Sequence, residues 1–595
     1  MNLSNFATNT IAALFLAFML IICIFSLAGD SATMDEVAHL PSGYSYVTQN
    51  DMRLNPEHPP LVKDFAGAPL LLLDGINFPS NIDAWKTDIN GQWAFGYSFL
   101  YEMGNPADQM IFWGRIPMVL LLIFLGFLIF RWARERYGNK VALLSLFFFA
   151  FSPTFLAHGR LVTTDVAAAL GAVLASYYFL KFLKYPTEKN IIFAGLAFGI
   201  AQLLKFSLFL LYPFFGLILL LWVIFKVDRG KIREFIAYGI KFVLVLAVGF
   251  LLIWPVYYFH TANLPTEKIE LYSQELLKTN PLQKVIDPPK VISTMANNEI
   301  LKPWSYYLLG VFMVTERAAG GHTTYFLGEV SASGWVEYFP IVYALKESLA
   351  FHILTIITLL FWAYSIKEPF WYKGFSRFKN WAKNNFTALF MVLWIILYWL
   401  FSLGSNLNIG VRHLLPTFPF VYILVSVGIV KLLSSSKNPV YSMAKYGVLA
   451  LFILWQAVSV ILVYPSFLSY FNEIAGGPDK GYRYTVDSNL DWGQDLKRLK
   501  TWTDENNVDK IYVDYFGGGR VEYYLEDKFM PWWGNRDPKD IEKGSYLAIS
   551  ATLLQGGRGE PATGFTDGFG HYRWLYSYEP PVEKIGNSIF IYQIK

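Results

Sequence analysis

Cysteine and charge are both scarce in this chain of 595 residues. Cys23 is the only cysteine, which excludes an intramolecular disulfide and a cluster of thiolate metal ligands. Charged residues make up 16% of the sequence, whereas an ordinary globular protein carries about 25%. The net charge of +4 is small for a chain of this size, so it lacks the broad basic field that attracts nucleic acids. We therefore predict that nucleic acid is not a partner.

Familiar catalytic motifs are missing as well. The sequence has no Walker A segment, no Gly-x-Ser-x-Gly elbow and no His-Glu-x-x-His pair. His158, His260 and His352 lack the spacing of metal ligands. These absences argue against P-loop, serine-hydrolase and zinc-protease chemistry.

The chain is instead rich in apolar sequence, with 54% hydrophobic and 18% aromatic residues. A helix needs about 20 mostly apolar residues to cross a bilayer, and about eleven runs approach that length. They are residues 9–29, 111–130, 141–157, 163–180, 191–204, 207–225, 235–259, 346–366, 386–404, 413–430 and 446–464. The first run could also be a signal peptide, but no Lys or Arg precedes it, which favours an uncleaved span.

The loops between these runs alternate in charge. Those after the second, fourth, sixth, eighth and tenth runs carry the basic residues Arg131, Arg134, Arg136, Lys140, Lys181, Lys184, Lys189, Lys226, Arg229, Lys231, Arg233, Lys367, Lys373, Arg377, Lys379, Lys383, Lys431, Lys437 and Lys445. Basic loops stay in the cytoplasm. We therefore predict a multi-pass protein of the cell (plasma or inner) membrane. Its N-terminus is cytoplasmic, and residues 30–110, 260–345 and 467–595 are extracytoplasmic.

The tail differs from the rest of the chain. Its apolar runs shorten to strand length at 510–515, 545–550 and 588–594, and a helical stretch precedes them at 491–506. We predict a membrane domain over residues 1–466 and a small soluble α/β domain over residues 467–595.

Two acidic clusters lie on the predicted outer side. Asp35 and Glu36 follow the first span, and Asp165 opens the fourth. Each has a structural interpretation, as an interface residue or a helix cap. Acidic residues near a bilayer usually face a cavity, a partner or a substrate. Two carboxylates in one outer cleft could supply a general base and a second anion that orients it or holds a divalent metal ion.

Cations recur at the same outer level: Arg160, Lys205 and Arg412, with His413 beside the last. One interpretation is that each side chain is an anchor that extends to the membrane interface. The other is that together they bind an anionic ligand, such as a phosphate at the depth of the lipid headgroups. In the second external loop, His322 and Trp335 are either part of an interfacial aromatic belt or contacts for a sugar or acceptor ring.

These motifs together resemble the GT-C membrane glycosyltransferases, in particular the protein O-mannosyltransferases and the lipid A aminoarabinose transferase. Asp35-Glu36 is similar to the mannosyltransferases' acidic pair, and Asp165 and Lys205 match later acidic and basic positions. The segment from Arg412 to Pro416 is similar to the group's Arg-Tyr-Leu-Leu-Pro. His58-Pro59-Pro60-Leu61 resembles a Lys-Pro-Pro-Leu segment whose lysine meets the donor phosphate, so a His58 contact would depend on protonation. The tail matches neither branch's soluble domain.

The resemblance implies a GT-C-like fold and a donor sugar on a polyprenyl phosphate, transferred to a protein, lipid or glycan acceptor. We predict an inverting displacement in which Asp35 is the base, with Glu36 as the alternative. Lys205, Arg412 and either His58 or Arg160 would stabilise the phosphate. No cofactor is certain, and a divalent metal at Asp35 and Asp165 is an alternative. A flippase of lipid-linked sugars is the other functional class, although transporters usually show related halves, which this sequence lacks.

Overall fold

The structure, a computed structural model, describes residues 4–228, 230–366, 373–435, 438–565 and 571–595. Arg229, Lys367 and Lys437, three of the predicted cytoplasmic loop residues, lie outside the described residues. The helices before the tail are α1 (Asn5–Leu27), α2 (Met34–Gln49), α3 (Leu61–Gly67), α4 (Asp83–Lys86), α5 (Gln92–Tyr97), α6 (Ala107–Tyr137), α7 (Asn139–Ala150), α8 (Pro153–His158), α9 (Asp165–Lys184), α10 (Glu188–Leu204), α11 (Leu211–Lys226), α12 (Lys231–His260), α13 (Thr266–Leu276), α14 (Pro288–Ala296), α15 (Lys302–Gly320), α16 (Tyr338–Lys346), α17 (Leu349–Tyr364), α18 (Gly374–Asn384), α19 (Phe386–Leu403), α20 (Phe418–Ser434) and α21 (Pro439–Ile461).

The described part of the tail adds three helices, and the described ranges contain eight short strands. They are α22 (Leu496–Glu505), α23 (Val521–Leu525) and α24 (Ala551–Arg558), with β1 (Thr324–Phe326), β2 (Glu329–Ser331), β3 (Ile511–Asp514), β4 (Phe529–Pro531), β5 (Tyr546–Ser550), β6 (Glu560–Pro561), β7 (Glu583–Ile585) and β8 (Ile589–Gln593).

Eight helices in the described ranges are long and apolar enough to cross a membrane, or nine if the bent pair α16–α17 is one span. Each of the eleven predicted runs falls on a helix, but α7 and α10 are short. The 12 residues of α7 rise only about 18 Å against a hydrocarbon core of about 30 Å. The multi-pass helical class is confirmed, and the count of eleven spans stays a prediction.

Helix α9 is the most deeply buried of the spans. Its small residues permit close packing, since a Cβ added to Gly171 would lie 3.2 Å from the Cα of Ala201 in α10. The central position of α9 carries Asp165, its first residue, into the interior. The architecture therefore buries the second predicted carboxylate.

The C-terminal sheet has the strand order β4-β3-β5-β8-β7. Strands β4, β3 and β5 run parallel, and β8 pairs antiparallel with β5 and β7. The three predicted strands fall on β3, β5 and β8, which confirms the small α/β unit. The predicted helix at 491–506 begins later, at Leu496, because residues 487–495 instead turn against the membrane domain.

The tail is packed onto the rest of the chain. Ser31 N–H donates to the Gln494 carbonyl at 3.0 Å, and Met34 N–H donates to the Trp492 carbonyl at 3.0 Å. Strand β6 of the tail also pairs in parallel with β2 of the second external loop. The composition of the chain therefore changes at 466/467, but the residues on the two sides of this boundary pack against each other.

The orientation of the tail is open to a direct test. We expect a reporter enzyme fused after Lys595 to be active only on the non-cytoplasmic side, and one inserted near Lys379 to report the cytoplasm. The alternation of basic loops is the reason. A cytoplasmic signal from the Lys595 fusion would place the site described below on the opposite face.

Candidate active site

A cavity of about 190 Å³ lies among one set of helix ends and the loops that join them. Six of the ten predicted site residues line it: Asp35, His58, Asp165, Lys205, Arg412 and His413. They come from segments that are hundreds of residues apart in sequence. We call this cavity the carboxylate cavity.

Arg412 joins the two aspartates. Its Nη1 lies 2.8 Å from Oδ2 of Asp35 and 3.2 Å from Oδ2 of Asp165. Lys205 Nζ forms an ion pair with the other oxygen of Asp165. Opposite charges thus alternate through the cavity, with Asp165 and Arg412 buried and Asp35 23% exposed.

Local chain geometry places each of these groups. Asp35 is in the first turn of α2 and Asp165 opens α9, where the helix dipole favours an anion. Lys205 ends α10 in an extended conformation, which turns its side chain out of the helix. Arg412 follows Gly410, whose φ of 146° is a conformation that favours glycine.

Arg412 rests on an aromatic platform from the tail. Its guanidinium carbon lies 4.1 Å from the ring centroid of Trp492, a fully buried residue. The Nε of Arg412 is buried and has no hydrogen-bond partner among the described residues. The guanidinium therefore keeps an unsatisfied donor, which is costly unless a ligand completes it.

The acidic pair Asp35-Glu36 is divided between two roles, because consecutive helical residues face different directions. Glu36 accepts from Thr33 N–H in a capping box. It is also paired with the buried Arg115 at 2.6 Å and accepts from Val162 N–H at 2.9 Å. The structure thus does not bring Glu36, one of the predicted catalytic residues, to the carboxylate cavity.

Arg160 is likewise away from the cavity. It is fully buried, forms an ion pair with Asp30 and donates to the Ser26 carbonyl at 3.0 Å. Asp30 is also paired with Arg498 of the tail at 2.7 Å. Arg160 thus links the first span to the tail, and the structure does not bring it to the carboxylate cavity, where its phosphate contact was predicted.

His58 lines the cavity without a positive charge. Burial and then the neighbouring His39 and Lys63 lower the pKa of His58 well below its usual value. Its carbonyl accepts from Lys63 Nζ at 2.9 Å, which fixes the loop. A neutral imidazole can still donate one hydrogen bond, so a phosphate contact of His58 stays a prediction and would be made by a neutral donor.

The two residues predicted to bind an acceptor or a sugar lie elsewhere. His322 lines a second, larger cavity in the C-terminal domain. Trp335 donates its backbone N–H to Oδ1 of Asn408 at 2.6 Å, and its indole packs against Phe326. Neither residue lines the carboxylate cavity.

Several cavity residues had no assigned role from the sequence. Glu57 is paired with Arg317 at 2.6 Å and accepts from Gln92 Nε2 at 3.0 Å. Glu57 precedes His58 in a segment rich in acidic and basic residues, so its place in the site could have been predicted from the sequence. Arg317 carried no such signal, nor did Trp492, because only the tertiary fold brings Arg317 to the cavity and Trp492 against Arg412.

Asp35 is ionised near neutral pH. Burial raises the pKa of Asp35, but the Arg412 guanidinium and then His39 outweigh it and hold the pKa below its usual value. A carboxylate paired in this way is a poor base while the pair persists. Its basicity would rise if Arg412 turned to another anion.

A divalent metal ion fits the two aspartates poorly. The Arg412 guanidinium bridges them, which places a cation where the ion would bind. The described ranges also hold no group of three His, Cys, Asp or Glu residues able to hold a metal ion. The chemistry below is therefore derived from side chains alone.

Residues 106–258 match the family model described as dolichyl-phosphate-mannose-protein mannosyltransferase. The matched segment runs from α6 into α12 and includes Asp165 and Lys205, and it confirms the predicted resemblance to the GT-C membrane glycosyltransferases. No curated protein sequence matches the chain.

Solved structures of three membrane enzymes show partial similarity. ArnT from Cupriavidus metallidurans bound to undecaprenyl phosphate is 13% identical, with 98% of this chain and 97% of that chain covered and a TM-score of 0.44. The archaeal oligosaccharyltransferase AglB from Archaeoglobus fulgidus is 11% identical, covering 91% and 71%, with a TM-score of 0.46. The S. cerevisiae protein O-mannosyltransferase Pmt1-Pmt2 complex is 19% identical, covering 43% and 34%, with a TM-score of 0.33.

Proposed function

From the premise that this is a GT-C-like membrane protein, we propose that it is a glycosyltransferase that uses a sugar carried on a polyprenyl phosphate. The observation that carries the proposal is the meeting of Asp35 and Asp165 with Arg412 and Lys205 in one cavity. ArnT and Pmt1-Pmt2 are described as bound to undecaprenyl phosphate and to a sugar donor, which agrees with this donor class. The reaction takes place on the extracytoplasmic face of the cell membrane.

The donor phosphate binds to Arg412 and Lys205. Arg412 has an unsatisfied Nε, and a guanidinium can hold two phosphate oxygens at once. Asp165 keeps Lys205 and Arg412 in place before the donor arrives. The lipid tail stays in the bilayer while the sugar projects toward Asp35.

Transfer is an in-line displacement with inversion at the anomeric carbon. The acceptor hydroxyl gives its proton to Asp35, and its oxygen forms the new bond to that carbon. The bond from this carbon to the phosphate oxygen breaks, and its electron pair leaves with the phosphate. General-base help is worth about 10² to 10⁴ in rate, and each donor to the developing anion about 10² to 10³.

Phosphate binding also activates the base. Asp35 is paired with Arg412 at 2.8 Å. A phosphate that draws the guanidinium away removes this counterion and raises the basicity of Asp35. The base thus becomes effective only when a donor is present, which limits unproductive proton transfer.

A flippase of lipid-linked sugars is the alternative. Transporters place their substrate sites near the bilayer midplane on broken helices. Here the charged groups gather at one end of the spans, at the N-terminus of α9 and the C-terminus of α10. That one-sided placement favours transfer.

The two functions predict different fates for the donor. We expect the purified full-length protein to release polyprenyl phosphate from a radiolabelled polyprenyl-phosphate sugar when acceptors from the cell envelope are supplied. Thin-layer separation of lipid-linked and transferred label measures this. Movement of intact donor across reconstituted vesicles, with no glycosidic bond broken, would instead support the flippase.

A further inference from the structure

A second cavity, of about 330 Å³, lies at the carboxyl ends of β3 and β5 in the C-terminal domain. These strands are parallel neighbours. From β3 the chain continues to β4 on one side of the sheet. After β5 it leaves through α24 and β6 and returns as β7 and β8 on the other side. Ligands of parallel sheets bind in the crevice where the connections diverge in this way. We call this cavity the tail cleft.

The walls of the tail cleft combine acceptor groups with aromatic rings. Asp487 and Asp514 supply carboxylates, and Tyr325, Phe516 and Tyr572 supply rings. Burial raises the pKa of Asp514 to about 6, so this group is ionised at neutral pH and accepts from Tyr572 O–H. None of the described lining residues is Lys or Arg. Such walls repel a phosphate and suit a ligand with hydroxyl donors and apolar faces.

The tail cleft shares a wall with the carboxylate cavity. On the cleft side, Asp487 donates its backbone N–H to Oγ1 of Thr552 at 3.0 Å. On the other side, Val411 N–H donates to Oδ1 of Asn489 at 2.9 Å, so the segment that carries Arg412 is held against the segment that carries Asp487. Burial raises the pKa of Asp487, and the positive charge of Arg412 lowers it in part. The pKa of Asp487 stays above its usual value. The two cavities therefore lie on opposite sides of one wall, in which Val411 and Asn489 are buried.

We propose that the tail cleft binds a neutral oligosaccharide and that this oligosaccharide is the acceptor, an inference that rests on the glycosyltransferase function proposed above. Carboxylates accept its hydroxyls and the aromatic rings pack against its sugar faces. A chain of sugars seated in the cleft extends past the shared wall to Asp35, where the terminal hydroxyl loses its proton. The cations of the carboxylate cavity hold the donor, and the cleft, whose described lining has no lysine or arginine, holds the acceptor.

A substitution at Gly556 can block the cleft without disturbing the fold. Gly556 in α24 lines the cleft, and a Cβ added there meets no atom within 4 Å. Gly556→Leu therefore fills the cleft and also replaces a poor helix former. Gly447→Leu is the matched control, because Gly447 is also helical with no atom within 4 Å of an added Cβ, and it lies outside the cleft. Asp514→Asn removes a charge while keeping an acceptor for Tyr572.

The experiment measures binding of trisaccharides to the purified full-length protein by saturation-transfer NMR, without donor. The probes are mannotriose, maltotriose and triacetylchitotriose as neutral sugars, the glucosamine trimer as a cation and trigalacturonate as an anion. We expect at least one neutral probe to bind the wild type and Gly447→Leu, and not Gly556→Leu. Asp514→Asn should bind it at least about tenfold more weakly, since it loses a charged hydrogen bond.

The outcomes separate this inference from the proposed function. Failure of all three neutral probes to bind the wild type, preference for the anion or the cation, or undiminished binding by Gly556→Leu would each overturn the inference. None of these results would affect cleavage of the polyprenyl-phosphate sugar by the wild type. If the wild type binds neutral trisaccharides in the cleft but does not cleave the polyprenyl-phosphate sugar, the proposed glycosyltransferase function is wrong. The C-terminal domain would then be a carbohydrate-binding domain.

Discussion

Replacing Asp35 by Asn is expected to lower turnover by at least about 10²-fold, with donor binding nearly intact, because the amide keeps the size of the side chain and loses its basicity. The side chain is part of the carboxylate cavity and is paired with Arg412. Single-turnover transfer of label from a polyprenyl-phosphate sugar, measured beside donor binding, separates the two effects. Near-normal turnover would move the base to another group.

Asp64→Asn is the matched control for this substitution. Asp64 belongs to the same segment between α1 and α6, is paired with His260 at 2.8 Å and does not line the cavity. We expect it to keep full turnover per folded molecule. Equal losses in both variants would trace the effect to the loop as a whole and remove Asp35 from the mechanism.

Lys205→Met and Arg412→Gln are each expected to weaken donor use by about tenfold or more, because a charged hydrogen bond is worth roughly 1.5–3 kcal/mol. The two side chains contact the same carboxylate, Asp165. If they also share one phosphate, the double variant should lose less than the product of the two single losses. Donor dependence in a matched-expression double-mutant cycle measures the coupling.

Two further variants help to interpret the double-mutant cycle. Arg412→Lys keeps the charge and loses the planar fork, so we expect intermediate donor use if the phosphate is held by two oxygens. Lys278→Met removes an exposed lysine paired with Glu275 and should have no effect. Full donor use per molecule in both Lys205→Met and Arg412→Gln would show that these cations are only anchors.

The membrane architecture could be predicted because it depends on local composition. Runs of apolar residues gave the helices, and the strand-length runs of the tail gave β3, β5 and β8. The number of membrane spans could not be predicted from local composition. The sequence does not reveal that α7 ends after 12 residues or that α16 and α17 meet at an angle of 112°, since both depend on packing.

The site could be predicted in part. Asp35, Asp165, Lys205 and Arg412 were found because polar residues at the ends of apolar runs are costly and stand out. Glu36 and Arg160 stood out for the same reason, yet they are neutralised by Arg115 and Asp30. These partners lie 79 and 130 residues away along the chain. Composition identifies an expensive charge, but only the fold shows whether protein or substrate neutralises it.

The position of Trp492 has a consequence for the assembly of the protein. The indole that supports Arg412 belongs to the tail, and the Trp492 carbonyl also receives the N–H of Met34, beside Asp35. During synthesis, both aspartates, Lys205 and Arg412 are therefore made before Trp492, the residue on which Arg412 rests. We therefore expect the proposed donor site to be complete only once the tail has docked.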